Sequence, residues 1–340
     1  MISLKEVAKY CGVSTATVSK ALNDQSDIGE ETKVKVREAA KQLGYFPNAA
    51  ARALKTNKSY NIGVLYVDEA NSGLTHEYFA AVLEGFKVEA EKQGYDITFI
   101  NRQIGKRKVS YYEHCKYRNV DGVMIACVNF TNLEVLELLS GDIPVVTIDH
   151  IHESCSAVLS DNINGMNHLM NYIYQNGHER IAYIHGQSNS SVTKSRLTSF
   201  YRFVEEKELK IPEEYILEAD YLDAQQAAEQ TKKLLELKDI PTCILYPDDT
   251  SLIGGMNVIR KKKLKIPGDI SIAGYDGGKI SKMLSPALTT IHQNTAKIGK
   301  EAANILIKTI ERPKITFPEQ HVIEGVLIEG KSVGKVKKEE

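Results

Sequence analysis

Two hydrophobic rhythms divide the chain. Over the first sixty residues apolar side chains recur every three or four positions, the period of a buried helical face. Leu4, Val7, Ala8 and Cys11 form one such stripe, and Gly12, able to take positive φ, ends it. After the turn Gly12-Val13-Ser14 a second helix is predicted from Thr15 to Leu22, with Ser14 as N-cap and Val18, Ala21 and Leu22 inward. A third begins near Gly29, carries Glu30 and Glu31 where the helix dipole favours acids, turns Val34, Val36, Ala39, Ala40 and Leu43 inward, and closes at Gly44. From Asn61 the rhythm changes to short runs that are apolar throughout: IGVLYV (62–67), ITFI (97–100), GVMIA (122–126), PVVTI (144–148), IAYI (181–184), CILY (243–246) and ISIAGY (270–275). Amphipathic segments lie between them. The clearest is Tyr78–Gln93, with Phe79, Val82, Leu83, Phe86 and Ala90 on one stripe; others run near 162–176, 193–207, 223–237, 250–263 and 295–310. Strands with no polar face, alternating with helices, predict parallel sheets covered on both sides. So many strands over about 270 residues predict two such sheets rather than one.

Helix, tight glycine-containing turn, helix, then a supporting helix is the plan of a helix-turn-helix, whose second helix enters the major groove of DNA. The outward face of that helix is Thr15, Ala16, Ser19 and Lys20, with hydroxyls and a cation to reach phosphates and base edges and no acid to be repelled. Charge agrees: residues 1–60 hold ten Lys and Arg against six Asp and Glu, a net of +4, so the rest of a chain of net charge −1 carries −5. A small three-helix bundle without DNA function would show the same stripes. The next segment, YFPNAAARALK (45–55), offers about two helical turns, too few to be stable alone. Asn48 can cap it, and Leu54 beside Arg52 is placed to wedge into a minor groove once the helix forms on DNA.

In parallel α/β sheets ligands sit beyond the carboxyl ends of strands. Asp68, Asp149, Asp161, Asp248, Asp249 and Asp276 each follow an apolar run. Carboxylates accept paired hydrogen bonds from vicinal hydroxyls, so the set points to a polyol such as a sugar, although an Asp at a strand end is equally readable as the N-cap of the next helix. Asp161, just before Asn162, is read as a cap or hinge. The chain has no Trp, the commonest side chain for stacking on sugars. No GxGxxG follows a strand, and GYDGGK (274–279) lacks the remaining residues of a phosphate-binding loop. GxSxG, HExxH and metal-ligand clusters are also missing, so neither an enzyme nor a metal or cofactor is expected. A glycosidase would need two carboxylates at a defined separation. The five cysteines, Cys11, Cys115, Cys127, Cys155 and Cys243, are scattered and odd in number, and read as reduced filler. Apolar runs stop near six residues, far short of the roughly 20 that span a bilayer, and nothing resembles a signal peptide. A cytoplasmic protein without a membrane partner is expected.

The stretches LKEVAKYCGVSTATVSKALN and IGEETKVKVREAAKQLGYFPNAAARALK resemble the DNA-binding headpiece of the LacI/GalR family from end to end. VDGVMIA, IPVVTID, SDNINGMNHLMNYIYQNGHERIAYIHG, SRLTSF, IPGDISIAGYDG and SPALTTIHQN extend the resemblance to about residue 325. It implies a small all-α headpiece followed by two doubly wound parallel-sheet lobes of periplasmic-binding-protein type, with three crossovers near 160, 290 and 320. The implied domains are the headpiece (1–46), a hinge helix and linker (47–60) and an effector-binding domain (61–330), then a mobile tail (331–340). Lobe one would take 61–160 and 292–320, lobe two 161–291 and 321–330. By the resemblance Thr15, Ala16 and Lys20 read bases, Ser14, Thr17, Ser19 and Asn23 contact phosphates, and Asn48, Arg52 and Leu54 belong to the hinge that enters the operator. In the cleft Arg196 matches the arginine that grips effector oxygens, Asp276 the acid of a Gly-aromatic-Asp motif, Asp249 the Asp of an Asn-Asp pair, and Tyr221 a stacking aromatic. Asp149 and His76 join them as candidates.

Four departures stand out. Lys20 replaces the family's usual Arg, Gly29 its usual Ser cap, Asp248 its usual Asn, and VDEANSGLTHEYF its PDxxNPFF loop, which puts Thr75 and His76 at the cleft mouth. The expected protein is a homodimeric repressor that binds double-stranded operator DNA under control of a small effector, a sugar or sugar derivative. A corepressor-dependent regulator with a purine-type effector, or a solute receptor without DNA function, are the alternatives.

Overall fold

The computed structural model describes residues 2–46, 53, 58–67 and 73–336. The proposed positions Asn48, Arg52 and Leu54, and Asp68, lie outside them. The chain divides into two compact units, Met1–Ser59 and Tyr60–Glu340.

In the first unit α1 (Leu4–Cys11), α2 (Thr15–Leu22) and α3 (Glu30–Leu43) enclose a small core of Val7, Ala8, Val18, Ala21, Val36 and Ala39. Most boundaries have a local cause. Ser3 and Glu6 form a reciprocal capping box on α1, and Gly12 ends the helix at φ 68°. Ser14 caps α2, whereas Gly29 starts α3 without any side-chain cap. One expectation fails: Val34 is 49% exposed, and Lys33 takes the inward place instead. Its stem covers the core while its ammonium meets Asp24 and Glu30 at the rim, at 3.1 and 2.7 Å.

The second unit opens with a six-stranded, wholly parallel sheet. In chain order its parts are β1 (Asn61–Tyr66), α4 (Glu77–Lys92), β2 (Asp96–Phe99), the hairpin β3 (Gln103–Ile104) and β4 (Arg107–Lys108), and α5 (Tyr111–Arg118). There follow β5 (Gly122–Ala126), α6 (Leu133–Leu139), β6 (Val145–Ile148) and β7 (Ser156–Ser160). The chain then builds a second, four-stranded parallel sheet from α7 (Asn162–Gln175), β8 (Ile181–His185), α8 (Ser191–Glu206), β9 (Ile216–Glu218), α9 (Ala224–Leu234), β10 (Cys243–Leu245), α10 (Asp249–Lys261) and β11 (Ser271–Ala273). It closes with α11 (Lys279–Met283), β12 (Thr290–His292), α12 (Thr295–Glu311), β13 (Gln320–Ile323) and β14 (Val326–Ile328). Strand order is β13-β7-β6-β5-β1-β2 in the first lobe and β11-β10-β8-β9 in the second.

Both sheets are covered on both faces, the reason their strands lack a polar side. In lobe one Val82, Phe86, Ile298 and Leu306 fill one face, and Tyr111, Cys115, Val135 and Leu138 the other. In lobe two Met166, Leu169, Phe200 and Phe203 oppose Ala227, Leu234, Leu252 and Ile259.

Two boundaries differ from expectation. Residues 321–323 belong to the first lobe, because His321 and Val322 pair in parallel register with Val158 and Leu159 of β7; the third crossover falls after Ile323. Nor does a tail begin at residue 331. Ser332 is fully buried, donating to the Ile272 carbonyl at 2.7 Å and accepting from the Thr289 amide at 2.8 Å. The Val336 amide reaches the Asn176 carbonyl at 2.9 Å. Among the described residues no helix is long and apolar enough to cross a membrane.

Candidate functional site

Two separate surfaces carry chemistry. On the first unit, α2 presents Thr15, Ala16 and Lys20 to solvent, with Thr17 and Ser19 half-buried beside them. The ends of the helix are tied by the polar residues expected to meet phosphates. Ser14 Oγ accepts the Thr17 amide at 3.0 Å, and Asn23 Nδ2 donates to the Ser19 carbonyl at 2.7 Å. Lys20 is ion-paired with Asp27 from the following loop.

On the second unit a cleft of about 360 Å³ lies between the lobes, beyond the carboxyl ends of the strands. Arg196, on the inner face of α8, is buried and held from three sides. Its Nε donates to Asn162 Oδ1 at 2.8 Å, its Nη1 to the Pro247 carbonyl at 2.9 Å, and its guanidinium lies 3.5 Å from the centre of the Tyr275 ring. That leaves Nη2 directed at the cleft, 3.9 Å from Asp276 Oδ1. Asp276 follows β11 at φ 98°, a strained conformation for a residue with a Cβ, and Gln293 donates to its carboxylate at 2.6 Å. Burial pushes the Asp276 carboxyl up to about 7, although Arg196 pulls the other way.

Asp149 enters from lobe one, after β6 and also at positive φ. The Tyr78 hydroxyl donates to it at 2.6 Å and the Ser160 amide at 2.7 Å, while burial raises its carboxyl. Tyr221 forms part of the floor, its ring seated on Gly186 where any Cβ would clash, and its hydroxyl 2.9 Å from Thr193 Oγ1. His76 precedes α4 at the mouth, edge-on to Phe79 at 4.8 Å. Arg196, Asp276, Asp149, Tyr221 and His76 thus line one cavity, which Thr75 does not reach.

Asp249 is the exception. As the first residue of α10 it turns into the protein, with Oδ2 3.2 Å from the Gly278 amide and the other oxygen against Gly274. Burial, with Asp276 nearby, raises its carboxyl well above the usual range. Its neighbour Asp248 lines the cleft instead, although the amides of Thr250, Ser251 and Leu222 and the Ser251 hydroxyl already engage it.

The structure also adds cleft residues that the pattern did not flag. Phe130 and His150 stack face to face, centroids 3.7 Å apart and planes 7° from parallel. Asp220 is held by Gln187 and Gln226 at 2.8 and 2.9 Å, and Gln293 completes the wall beside Asp276. Four carboxyl groups therefore share the cleft lining with one guanidinium, and among the described lining residues no lysine offsets them. Such a lining welcomes hydroxyl and amine donors and repels anions.

Comparison with known proteins places both units among known families. Residues 3–48 match "Bacterial regulatory proteins, lacI family", and residues 170–333 match "Periplasmic binding protein-like domain". The HTH-type transcriptional repressor PurR of Actinobacillus pleuropneumoniae serotype 3 (strain JL03) is 33% identical over 327 residues, 95% of each protein. PurR of Haemophilus influenzae (strain PittEE) is 32% identical over 314 residues, 91% of each. The fold is that of the lac repressor dimer bound to operator and the anti-inducer ONPF, with TM-score 0.79 and 23% identity over 98% of this chain and 99% of that one. It is likewise that of a CelR–cellobiose complex, with TM-score 0.72 and 22% identity over 98% of this chain and all of that one. With a helix-turn-helix at one end, a two-lobed parallel-sheet body behind it and full-length relatives that are repressors rather than enzymes, the chain belongs to the lacI family of bacterial regulatory proteins and is a DNA-binding transcriptional repressor.

Proposed function

We propose that this repressor binds a pseudo-palindromic operator as a homodimer, and that an uncharged, hydroxyl-rich effector, a sugar or sugar derivative, sets its affinity from the cleft. The observation that carries the effector class is the cleft lining: Asp149, Asp220, Asp248 and Asp276 around the one buried Arg196. Carboxylates accept from vicinal hydroxyls, the remaining Arg196 Nη2 donates to a ring or hydroxyl oxygen, and Tyr221 offers a ring face. Phosphorylated or carboxylated sugars would meet four acids and one base, an arrangement that penalises them. His76 and Asp149 contact the effector from lobe one, Arg196 and Asp276 from lobe two. On the DNA side Thr15, Ala16 and Lys20 read base edges, and Ser14, Thr17, Ser19 and Asn23 meet phosphates. Asn48, Arg52 and Leu54 act as the hinge. One recognition helix spans only a few base pairs, so two half-sites related by a twofold axis supply the specificity. A protein acting on operator DNA under a small effector belongs in the cytoplasm.

A thermal-shift screen of neutral sugars, sugar phosphates, uronates and purines tests the effector class, because a ligand that binds only the native state raises Tm by mass action. A neutral sugar that raises Tm in a dose-dependent way, and changes operator affinity, supports the reading. Stabilisation by phosphates or uronates alone would overturn it. A second reading, a purine-type corepressor, is favoured by the flat Phe130–His150 stack and by the identity with repressors named PurR, and predicts that purines shift Tm and tighten operator binding.

A further inference from the structure

We infer that Asp27 is a specificity-determining residue of the DNA-binding surface, acting through Lys20. The inference rests on reading α2 as the helix that contacts DNA. Lys20 is the one cation of α2, in its last turn, and its side chain is about half exposed. Its ammonium is engaged by the Asp27 carboxylate, and this lysine holds that carboxyl below its usual range.

Asp27 does not meet Lys20 by wandering. The loop that carries it, residues 23–29, is fastened at several points. The Gln25 amide donates to the Lys20 carbonyl at 3.1 Å, the Ile28 amide to the Gln25 carbonyl at 3.3 Å, and the Ile28 side chain joins the three-helix core. Asp24, at φ 57°, takes Arg37 at 2.9 Å and the buried Lys33 at 3.1 Å, which pins the loop to α3. The fold therefore presents an acid to Lys20 from a fixed position.

A lysine is a point charge that grips any phosphate, so an unrestrained Lys20 would favour every DNA sequence alike. With Asp27 as its partner, Lys20 gains little from a bare phosphate, because it must give up one carboxylate and leave that anion beside the duplex. Where a base edge and a phosphate together replace the lost partner, the exchange is favourable. The pair thus lowers binding to random sequence more than binding to the operator, and widens the ratio between them. An exposed ion pair changes an equilibrium by a few-fold, which sets the size of the effect.

The test uses the full chain and two duplexes, a tight site selected in vitro and a random sequence, titrated by fluorescence anisotropy at several KCl concentrations. Asp27→Asn is expected to bind the random duplex a few-fold more tightly, to steepen its log K against log [salt] slope by about 0.9 per headpiece, and to tighten the selected site less. Asp27→Glu is expected to restore the wild-type ratio. In a Lys20→Ala background Asp27→Asn should leave the ratio unchanged. An unchanged ratio in the single variant, or an equal change without Lys20, overturns the inference, the latter by showing a general charge effect. If Lys20→Ala alone alters binding to neither duplex, the underlying reading of α2 fails instead.

Discussion

At the scale of single residues, the proposed effector site has a few polar atoms only partly engaged. Arg196 spends Nε and Nη1 on Asn162 and Pro247, leaving Nη2 toward the cleft, and Asp276 has a second oxygen beyond the one that accepts from Gln293. Removing one partner of a buried charged contact costs about 2–5 kcal/mol. Arg196→Ala and Asp276→Asn should therefore each weaken effector binding by tens-fold or more, read by calorimetry, while operator affinity measured without effector stays within about two-fold of wild type, because the coupling between the sites acts through bound effector. A variant with an unchanged effector midpoint would remove that residue from the site. Asp276 should also make binding pH-dependent. Burial pushes its carboxyl up to about 7, and only the ionised form accepts from a ligand hydroxyl on both oxygens. A raised carboxyl pKa means a proton must leave on binding, so effector affinity should rise from pH 6 to 8 and level above that. Asp276→Asn should flatten the profile, and a flat wild-type profile would contradict the assignment. These details were only half legible beforehand. The paired acids after CILYP marked a strand end, but which one faces the cleft depends on the turn into α10: Asp248 stays extended before the helix, and Asp249 rotates inward. The Phe130–His150 stack joins residues from two different strand ends, and no local spacing announces it.

The elements were most legible where their stripes were longest. Tyr78–Gln93 was expected and Glu77–Lys92 is found, because five apolar residues at helical spacing leave no other register. The helix α5 was not foreseen: its sequence YYEHCKYR buries Tyr111, His114 and Cys115, so its inward face reads as polar or aromatic rather than apolar. The antiparallel pair β12–β14 escaped because each strand has three residues and its partner lies more than thirty residues away. Among the helices, α4 and α12 meet more closely than any sequence pattern announces. A Cβ on Gly299 would lie 2.0 Å from the Val82 carbonyl and 2.6 Å from the Phe86 nitrogen, both backbone atoms that cannot step aside. Gly299→Ala should force the two helices apart and cost about 1–3 kcal/mol, the usual range for overpacking. At about 2–4 °C per kcal/mol for a large domain, calorimetry should show Tm falling by several degrees. An unchanged Tm would mean that the α4–α12 contact yields to an added methyl group.

For the whole molecule, the question is how ligand in the cleft shifts the balance between two arrangements of the lobes. The chain crosses between lobes three times, near residues 161, 293 and 324, so the lobes are tethered on one side. Two lobes followed from the strand count and the alternation with helices. Where the last crossing falls did not, since QHVI is too short to say which sheet it joins until its register with β7 is known. Across the other side, among the described residues, two direct bonds bridge the lobes. Ser191 of lobe two donates to the Asp149 carbonyl of lobe one at 2.8 Å, and Glu77 of lobe one accepts the Lys279 amide of lobe two at 2.8 Å. The Glu77 carboxylate accepts the first amide of α11, and an anion at an exposed helix N-terminus is worth about 0.3–1 kcal/mol. Glu77 does not line the cleft, so its loss should act on closure alone. A ligand that needs the closed arrangement binds in proportion to the fraction closed. Glu77→Ala should then weaken effector binding a few-fold, with no change in the relative affinities of different effectors, whereas a cleft variant such as Arg196→Ala should change both. Calorimetry across three related ligands separates the cases: a uniform loss places Glu77 in closure, a ligand-dependent loss places it in the site, and no loss denies it either role.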